Sequence, residues 1–200
     1  MANEFNTYIS CLETPRFGFV ECGVAKGLPA LIVKATPKKT GANVKISVLF
    51  EKVKNSLHNN IVFAGEKPTE QKNLAEILRL FDIGRMRAHV VCGLDEHVLE
   101  ILGFKNIDFH ITAVVPSTGD VSTNDFSPLR FLQFKDTLVF PIASKVDYDY
   151  MLSILKVYPA KCTIELKPTE KFYEDFLDIF LGDKEFFALF RESDRVRVIV

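Results

Sequence analysis

Apolar segments of strand length alternate along the chain with segments of helical periodicity. An uninterrupted apolar run of roughly four to eight residues is typical of a strand buried on both faces. The repeated order of strand, helix and strand predicts parallel strands joined by crossover helices, the pattern of an α/β fold. The predicted strands are residues 31–33, 60–63, 89–92, 107–115, 137–142 and 161–166, followed by 185–190 and an apolar tail at 196–200.

Apolar residues recur at spacings of three and four between the predicted strands. The segment 44–55 places Val44, Val48, Leu49 and Val53 on one face, which predicts the first crossover helix. The other predicted helices are one capped by Thr69 and stopped by Gly84, with its apolar face at Leu74, Ile77, Leu78 and Phe81, and the segments 96–102, 146–157 and 169–181.

The chain is long enough for one sizeable core. It has 200 residues, of which 48% are apolar, and this size is usual for a single domain. Residues 116–128 are rich in Ser, Thr, Asp, Asn and Gly, so they predict a surface loop and not a domain boundary. We therefore expect one domain.

Positive and negative side chains nearly balance, with 25 Lys and Arg against 26 Asp and Glu. Without a net field, no nucleic-acid partner is expected. The first residues lack a basic region followed by an apolar stretch, and no apolar run reaches the roughly 18 residues of a membrane helix. We expect a cytoplasmic protein that has no membrane span.

Cysteine and histidine residues are scattered and predict no metal site. No CxxC pair occurs, so neither a zinc ribbon nor the disulfide framework of a small secreted domain fits, and free, largely buried thiols are expected. The sequence also has no GxSxG turn for nucleophilic hydrolysis, and no catalytic residue is assigned. The residues concerned are Cys11, Cys22, Cys92 and Cys162, with His58, His89, His97 and His110.

Short motifs follow the predicted strands at regular spacing. VECG at 20–23 precedes GLPA at 27–30, the strand LIVK ends at Lys34, and AGEKP at 64–68 follows the next strand. This order resembles the radical S-adenosylmethionine superfamily, and most closely its 7-carboxy-7-deazaguanine synthases. Gln71 matches a Gln that often follows this motif in the family. Altered segments stand where the family has ETNG, SPK and Gln-Pro: CGLD at 92–95, VPS at 115–117 and LKP at 166–168.

The resemblance implies a fold and two groups of site residues. The fold is a partial (β/α)6 barrel with mostly parallel strands in a single α/β domain. Where the family holds the methionyl amino group of S-adenosylmethionine in a TGGEP loop, this chain has vestigial cofactor-binding residues, with Lys67 interrupting the motif. The cofactor-binding residues are Gly65, Glu66 and Pro68, and a remnant substrate rim is expected at Glu21, Cys22 and Lys26.

The loop after the first barrel strand departs from the family pattern. The family carries CxxxCxxC there, because radical generation requires an iron–sulfur cluster held by thiolates. The loop here, residues 35–42, contains no cysteine. We therefore expect no iron–sulfur cluster and no use of S-adenosylmethionine. Lysines in and near this loop form a basic patch, interpreted as a solvated face or as an anion site: Lys38, Lys39, Lys45, Lys52 and Lys54.

The chain has 18 Phe and no Trp, and its densest aromatic run is near the C-terminus. Phe172, Phe176 and Phe180 are spaced for one helix face, and strand periodicity at 185–190 would expose Phe186 or Phe187. Core packing is expected for most residues of this aromatic run, and Phe186, Phe187 and Phe190 are the candidates for contact with a protein partner or a second copy.

Three functions remain open. The first is a catalytically inactive, radical-enzyme-like protein that acts as a structural or protein-binding subunit. The second is a cluster-free enzyme or sensor that binds a nucleotide or S-adenosylmethionine and is related to 7-deazaguanine metabolism. The third is an unrelated α/β assembly protein with an open, doubly wound sheet.

Overall fold

A computed structural model describes most of the chain. Two compact units are present, and each is described separately: the first comprises residues 1–92 and 97–110, and the second comprises 93–96 and 111–200. The predicted single domain stays a prediction. The described residues are 7–23, 25–38, 42–95, 97–190 and 196–199.

The first unit is built on strands β1 to β6. Strand β3 lies between β5, its parallel neighbour, and the antiparallel strands β1 and β2, and β4 extends the sheet beyond β1. The parallel pairing continues from β5 to β6, with Val62 opposite His89. The strands are β1 Tyr8–Cys11, β2 Arg16–Phe19, β3 Pro29–Ala35, β4 Ala42–Lys45, β5 Asn60–Gly65 and β6 Arg87–Gly93, and the helices are α1 Ile46–Lys54, α2 Leu74–Ile83 and α3 Val98–Ile101.

The predicted first helix is shorter than residues 44–55. Val44 belongs to β4, where it pairs with Ile9 of β1, and the helix begins at Ile46 after an extended Lys45. Its buried residues include Ile46 and Leu49, whereas Val48 is 46% exposed. The prediction for Val44 and Val48 is therefore wrong, because pairing with β1 holds Val44 extended and shifts the helical face.

The second predicted helix also begins later than expected. Thr69 is buried in a 3-10 turn, Pro68–Glu70, and does not cap α2, which begins at Leu74. The predicted end is confirmed, since Gly84 follows the last residue of α2. The predicted apolar face is confirmed as well, since its four residues are all buried: Leu74, Ile77, Leu78 and Phe81.

The described residues of the second unit form parallel strands and three α-helices. Strand β8 pairs with β9 along its whole length, and β9 also pairs with β10, which places Val196 opposite Ile164. The predicted loop at 116–128 is confirmed, with short 3-10 turns at Val121–Thr123 and Ser127–Phe131. The elements are β8 Thr137–Ile142, β9 Thr163–Pro168, β10 Val196–Val198, α4 Lys145–Val157, α5 Tyr173–Gly182 and α6 Lys184–Leu189; β7 Ile107–Thr112 spans the division between the units.

The segment 185–190 is not a strand. It belongs to helix α6, and the carboxylate of Asp183 accepts hydrogen bonds from the backbone N–H groups of Glu185 and Phe186 at 2.8 and 2.9 Å. An acceptor at this position satisfies N–H groups that have no partner within the helix. The apolar tail at 196–200 is a strand over its first three residues, and Val200 lies outside the described residues.

Candidate functional site

The turn after β5 requires a glycine at residue 65. Gly65 has φ +117° and is the Cα partner of Ala35 at the end of β3. A Cβ atom on Gly65 would lie 2.3 Å from the Ala35 carbonyl oxygen, closer than van der Waals contact permits. Glycine therefore lets the turn approach the start of the cysteine-free loop.

Polar contacts connect this turn to the loop after β3. The Lys38 ammonium lies 2.6 Å from the Glu66 carboxylate, and the Gln71 side-chain amide donates to the carbonyl oxygen of buried Thr36. Lys67, which interrupts the family motif, has φ +47° and pairs with Glu70 at 2.5 Å. The protein's own side chains thus pair with the charged residues of the predicted cofactor loop, Glu66 and Lys67, and Pro68 of the same loop is buried.

The residues of the loop after β3 do not fit an iron–sulfur cluster. Residues 35–42 supply no thiolate, and the described part of the loop, 35–38 and 42, presents a hydroxyl and a lysine. Throughout the described ranges, no three His, Cys, Asp or Glu side chains are grouped as a metal ion requires. The four cysteines are free thiols, three of them buried, and burial raises the pKa of Cys11 to about 11.

The predicted substrate rim lies on the connection between β2 and β3. Glu21 and Lys26 are exposed and Cys22 is half-buried. The connection is held by backbone hydrogen bonds from Gly27 to Val20 and from Lys26 to Gly23. Beside the rim, an apolar cluster of Val20, Ala25, Ala30 and Val62 packs against Ile32, Ala64 and Val91.

A polar group with two buried members, His89 and Asp108, and one exposed member, Arg87, lies on β6 and β7 of the first unit. Arg87 donates from Nε and Nη2 to Oδ2 of Asp108 at 2.9 and 2.7 Å, and Nδ1 of His89 is 3.4 Å from the same oxygen. Burial alone would raise the pKa of Asp108, but the hydrogen bonds and positive charge of its neighbours lower it below its usual value. Nε2 of His89 is buried without a hydrogen-bond partner among the described residues.

A second buried carboxylate, Asp147, lies in the first turn of helix α4. It accepts hydrogen bonds from the backbone N–H groups of Ser117 and Ala143, each at 2.9 Å, and from the Ser144 hydroxyl at 3.1 Å. Burial opposes ionisation of Asp147, but these hydrogen bonds lower its pKa overall. The hydrogen bond from Ser117 involves the last residue of the VPS segment, 115–117. The spacing of Ser144 and Asp147, three residues apart before a helical apolar pattern, is a helix-capping signal from which the contact between these two residues could have been predicted.

The C-terminal aromatic residues form a packed cluster in the second unit. Phe186 is 1% exposed and contacts Phe180 and Phe190 with ring centroids at 5.0 and 4.8 Å. Phe186 is therefore a core residue and not a partner contact, because α6 turns it inward. Phe187 is 44% exposed and Phe190 is half-buried. Phe176 is buried on α5, with Phe180 stacked on it.

The predicted basic patch is spread over separate elements. Lys38 pairs with Glu66, Lys45 ends β4, and Lys52 and Lys54 lie in the last turn of α1, where positive charge favours the helix C-terminus. Lys39 lies outside the described residues. No helix in the described ranges combines the length and apolarity that crossing a bilayer requires.

Comparison with known proteins identifies a fold and no family. No protein-family model matches the chain, and no curated protein is significantly similar in sequence. Among solved structures, QueE from Escherichia coli is similar with a TM-score of 0.69 over 96% of this chain and 94% of that chain, at 10% sequence identity. This likeness confirms the predicted α/β fold of the radical-enzyme, partial-barrel type with mostly parallel strands, and it concerns the fold alone.

Proposed function

We propose that this chain is a cluster-free relative, in fold, of the radical S-adenosylmethionine enzymes and that it acts in the cytoplasm as a structural or protein-binding subunit. The observation that carries the proposal is the Lys38–Glu66 ion pair at 2.6 Å. It joins the segment where the fold family holds its cluster to the turn where that family binds the cofactor's amino group.

The chemistry of the loop supports an inactive role. Cleavage of S-adenosylmethionine requires an electron that only a thiolate-bound cluster supplies in this fold. Residues 35–42 offer no thiolate. The Glu66 carboxylate, which would meet a cationic amino group, is already paired with a lysine of the same protein.

Anaerobic reconstitution with iron and sulfide tests this proposal. We expect no cluster absorbance and no cleavage of S-adenosylmethionine under reducing conditions. A variant with all four cysteines replaced by serine is the matched control, because it separates iron adsorbed to the surface from iron held by thiolates. Cysteine-dependent cluster absorbance together with cofactor cleavage would overturn the proposal.

A cluster-free ligand-binding role is the second candidate. Lys38 and Glu66 are both half to largely exposed, so a ligand with an amino group and an anionic group could exchange with their pairing. Calorimetric titration with S-adenosylmethionine, and separately with ATP, tests this role. Binding heat that disappears in Glu66→Gln and persists in Glu70→Gln would favour it, and no heat at millimolar ligand would remove it.

A further inference from the structure

Helix α5 leaves most of its apolar side chains at least partly exposed. Of its ten residues Phe176 alone is buried, whereas α2, which also has ten residues, buries five. Leu177 and Phe180 are half-buried, and Leu181 is 68% exposed. A crossover helix normally covers its apolar face against the sheet. Helix α5 therefore keeps apolar surface that the described residues do not cover.

This apolar surface continues onto helix α6. The ring of Phe187 lies 5.4 Å from the ring of Phe180, measured between centroids, and Phe187 is 44% exposed. Exposed apolar side chains that adjoin one another, in contrast to single scattered ones, mark interaction sites. Leu177, Phe180, Leu181 and Phe187 are called the α5–α6 surface below.

An acidic ridge runs beside the apolar residues of α5. With about 3.6 residues per turn, Glu174 and Asp178 form one ridge of the helix, and Leu177 and Leu181 form the next. Glu174, Asp175 and Asp178 are all exposed, and α5 contains no basic residue. The helix N-terminus stabilises the two acidic residues of the first turn, but Asp178 lies beyond that turn and repels Glu174.

The charge of the second unit restricts what can cover this surface. Asp and Glu outnumber Lys and Arg in the second unit, although the two classes nearly balance over the whole chain. A nucleic acid or an anionic bilayer would meet like charge here. A second copy that used the same surface about a two-fold axis would place acidic ridge against acidic ridge. Charge complementarity therefore favours a cationic partner.

We propose that the α5–α6 surface binds a basic amphipathic segment of another protein. Apolar side chains of that segment pack on Leu177, Leu181 and Phe187, and its Lys or Arg side chains form charge-assisted hydrogen bonds with Glu174 and Asp178. The inference rests on the protein-binding part of the proposed function and gives the partner a chemical class.

Fluorescence anisotropy with a labelled synthetic peptide tests the proposal. The peptide consists of leucine and lysine, with the leucines on one helical face. We expect saturable binding that weakens as salt is added, because the contact is partly electrostatic. Leu181→Ser and Asp178→Lys should each weaken binding by about tenfold or more, since one removes apolar area and the other reverses a charge.

Matched substitutions on α4 provide the controls. Val146 is 63% exposed and Asp149 is exposed, so Val146→Ser and Asp149→Lys make the same chemical changes away from the α5–α6 surface. Both variants should bind the peptide as the parent does. Circular dichroism checks that every variant is folded.

Two further peptides separate charge from apolar contact. Replacement of the lysines by glutamate, or of the leucines by serine, should abolish binding. The proposal is refuted if the leucine–lysine peptide does not bind, if the glutamate peptide binds equally well, or if Leu181→Ser and Asp178→Lys change nothing. Self-association in sedimentation equilibrium that Leu181→Ser disrupts would refute it as well, because the occupant would then be a second copy.

This inference and the inactive role fail separately. A protein that takes up no cluster and binds no peptide defeats only the docking surface. A cysteine-dependent cluster that cleaves S-adenosylmethionine, together with peptide binding that depends on Leu181 and Asp178, defeats only the inactive role.

Discussion

The hydrogen atom on the Cα of Gly65 faces the backbone of Ala35 so closely that a methyl group there would lie 2.3 Å from the Ala35 carbonyl oxygen. Gly65→Ala should therefore destabilise the protein by at least about 3 kcal/mol, the sum of left-handed backbone strain and a clash with backbone that cannot move aside. Thermal or urea unfolding measures the loss.

Two other glycines separate strain from steric clash. Gly27 has φ +88° but open space around its Cα, so Gly27→Ala should cost only about 1–2 kcal/mol, the strain of the left-handed conformation. Gly182 has neither a positive φ nor a neighbour within reach, so Gly182→Ala should cost nothing measurable. Equal losses at positions 65 and 27 would show that the approach to Ala35 is not the cause.

Asp147 should make the stability of the second unit sensitive to acid. Its pKa is lowered in the folded protein, so its contribution is present above the unfolded value of about 3.9 and is lost as the pH falls through the folded value. Asp147→Ala should cost about 3 kcal/mol at neutral pH, because it leaves the N–H groups of Ser117 and Ala143 without their charged acceptor.

Asp149 on the same helix is the matched control for Asp147. It is exposed and pairs with Lys145 at 2.7 Å, a surface ion pair of small consequence. Asp149→Asn should change stability by less than about 1 kcal/mol and should keep the parent's acid dependence. Urea unfolding at several values of pH between neutral and acid distinguishes the two residues, and an unchanged acid profile in Asp147→Ala would contradict the assignment.

The sequence predicts the parallel strands well, because continuous apolar runs such as 60–63 and 137–142 have few alternatives to a buried strand. It does not predict the position of Val44. Helical spacing is present locally, but pairing with Ile9, far away in sequence, holds Val44 extended. Long-range pairing outweighs local periodicity wherever a segment fits both.

The candidate site likewise has features that the sequence predicts and features that it does not. The turn at Gly65 and Glu66 could be predicted from motif order, since a glycine at the carboxyl end of a buried strand marks a close backbone approach. The residue that pairs with Glu66 could not be predicted from the sequence, because Lys38 is brought to Glu66 by the register of β3 and β5. Asp108 lies within an apolar run, and nothing local in the sequence identifies Arg87 and His89 as its partners.

Removal of Arg87 should destabilise the first unit and shift its acid transition. Arg87→Met removes the guanidinium from the buried Asp108 carboxylate and leaves His89 beside it, which should cost about 2 kcal/mol, a value reduced because Arg87 is partly exposed. The pKa of Asp108 should rise toward its unfolded value, so Asp108 should contribute less of the stability that is lost on acidification, and this acid-dependent loss should be smaller than in the parent. Arg79→Met, exposed on α2, is the control for loss of charge alone and should be neutral.

Two adjacent phenylalanines on α6 should respond very differently to truncation. Phe186 is enclosed by Tyr148, Phe180 and Phe190, so Phe186→Ala should cost about 3–5 kcal/mol by leaving a cavity in a packed aromatic cluster. Phe187 is half exposed and keeps solvent on one side, so Phe187→Ala should cost less than about 1.5 kcal/mol. Chemical denaturation of both variants provides the comparison, with near-ultraviolet circular dichroism reporting the aromatic packing. If the two losses were equal, or if Phe187→Ala were the more damaging, α6 would not turn Phe186 inward, and the partner-contact role first predicted for Phe186 would again need to be considered.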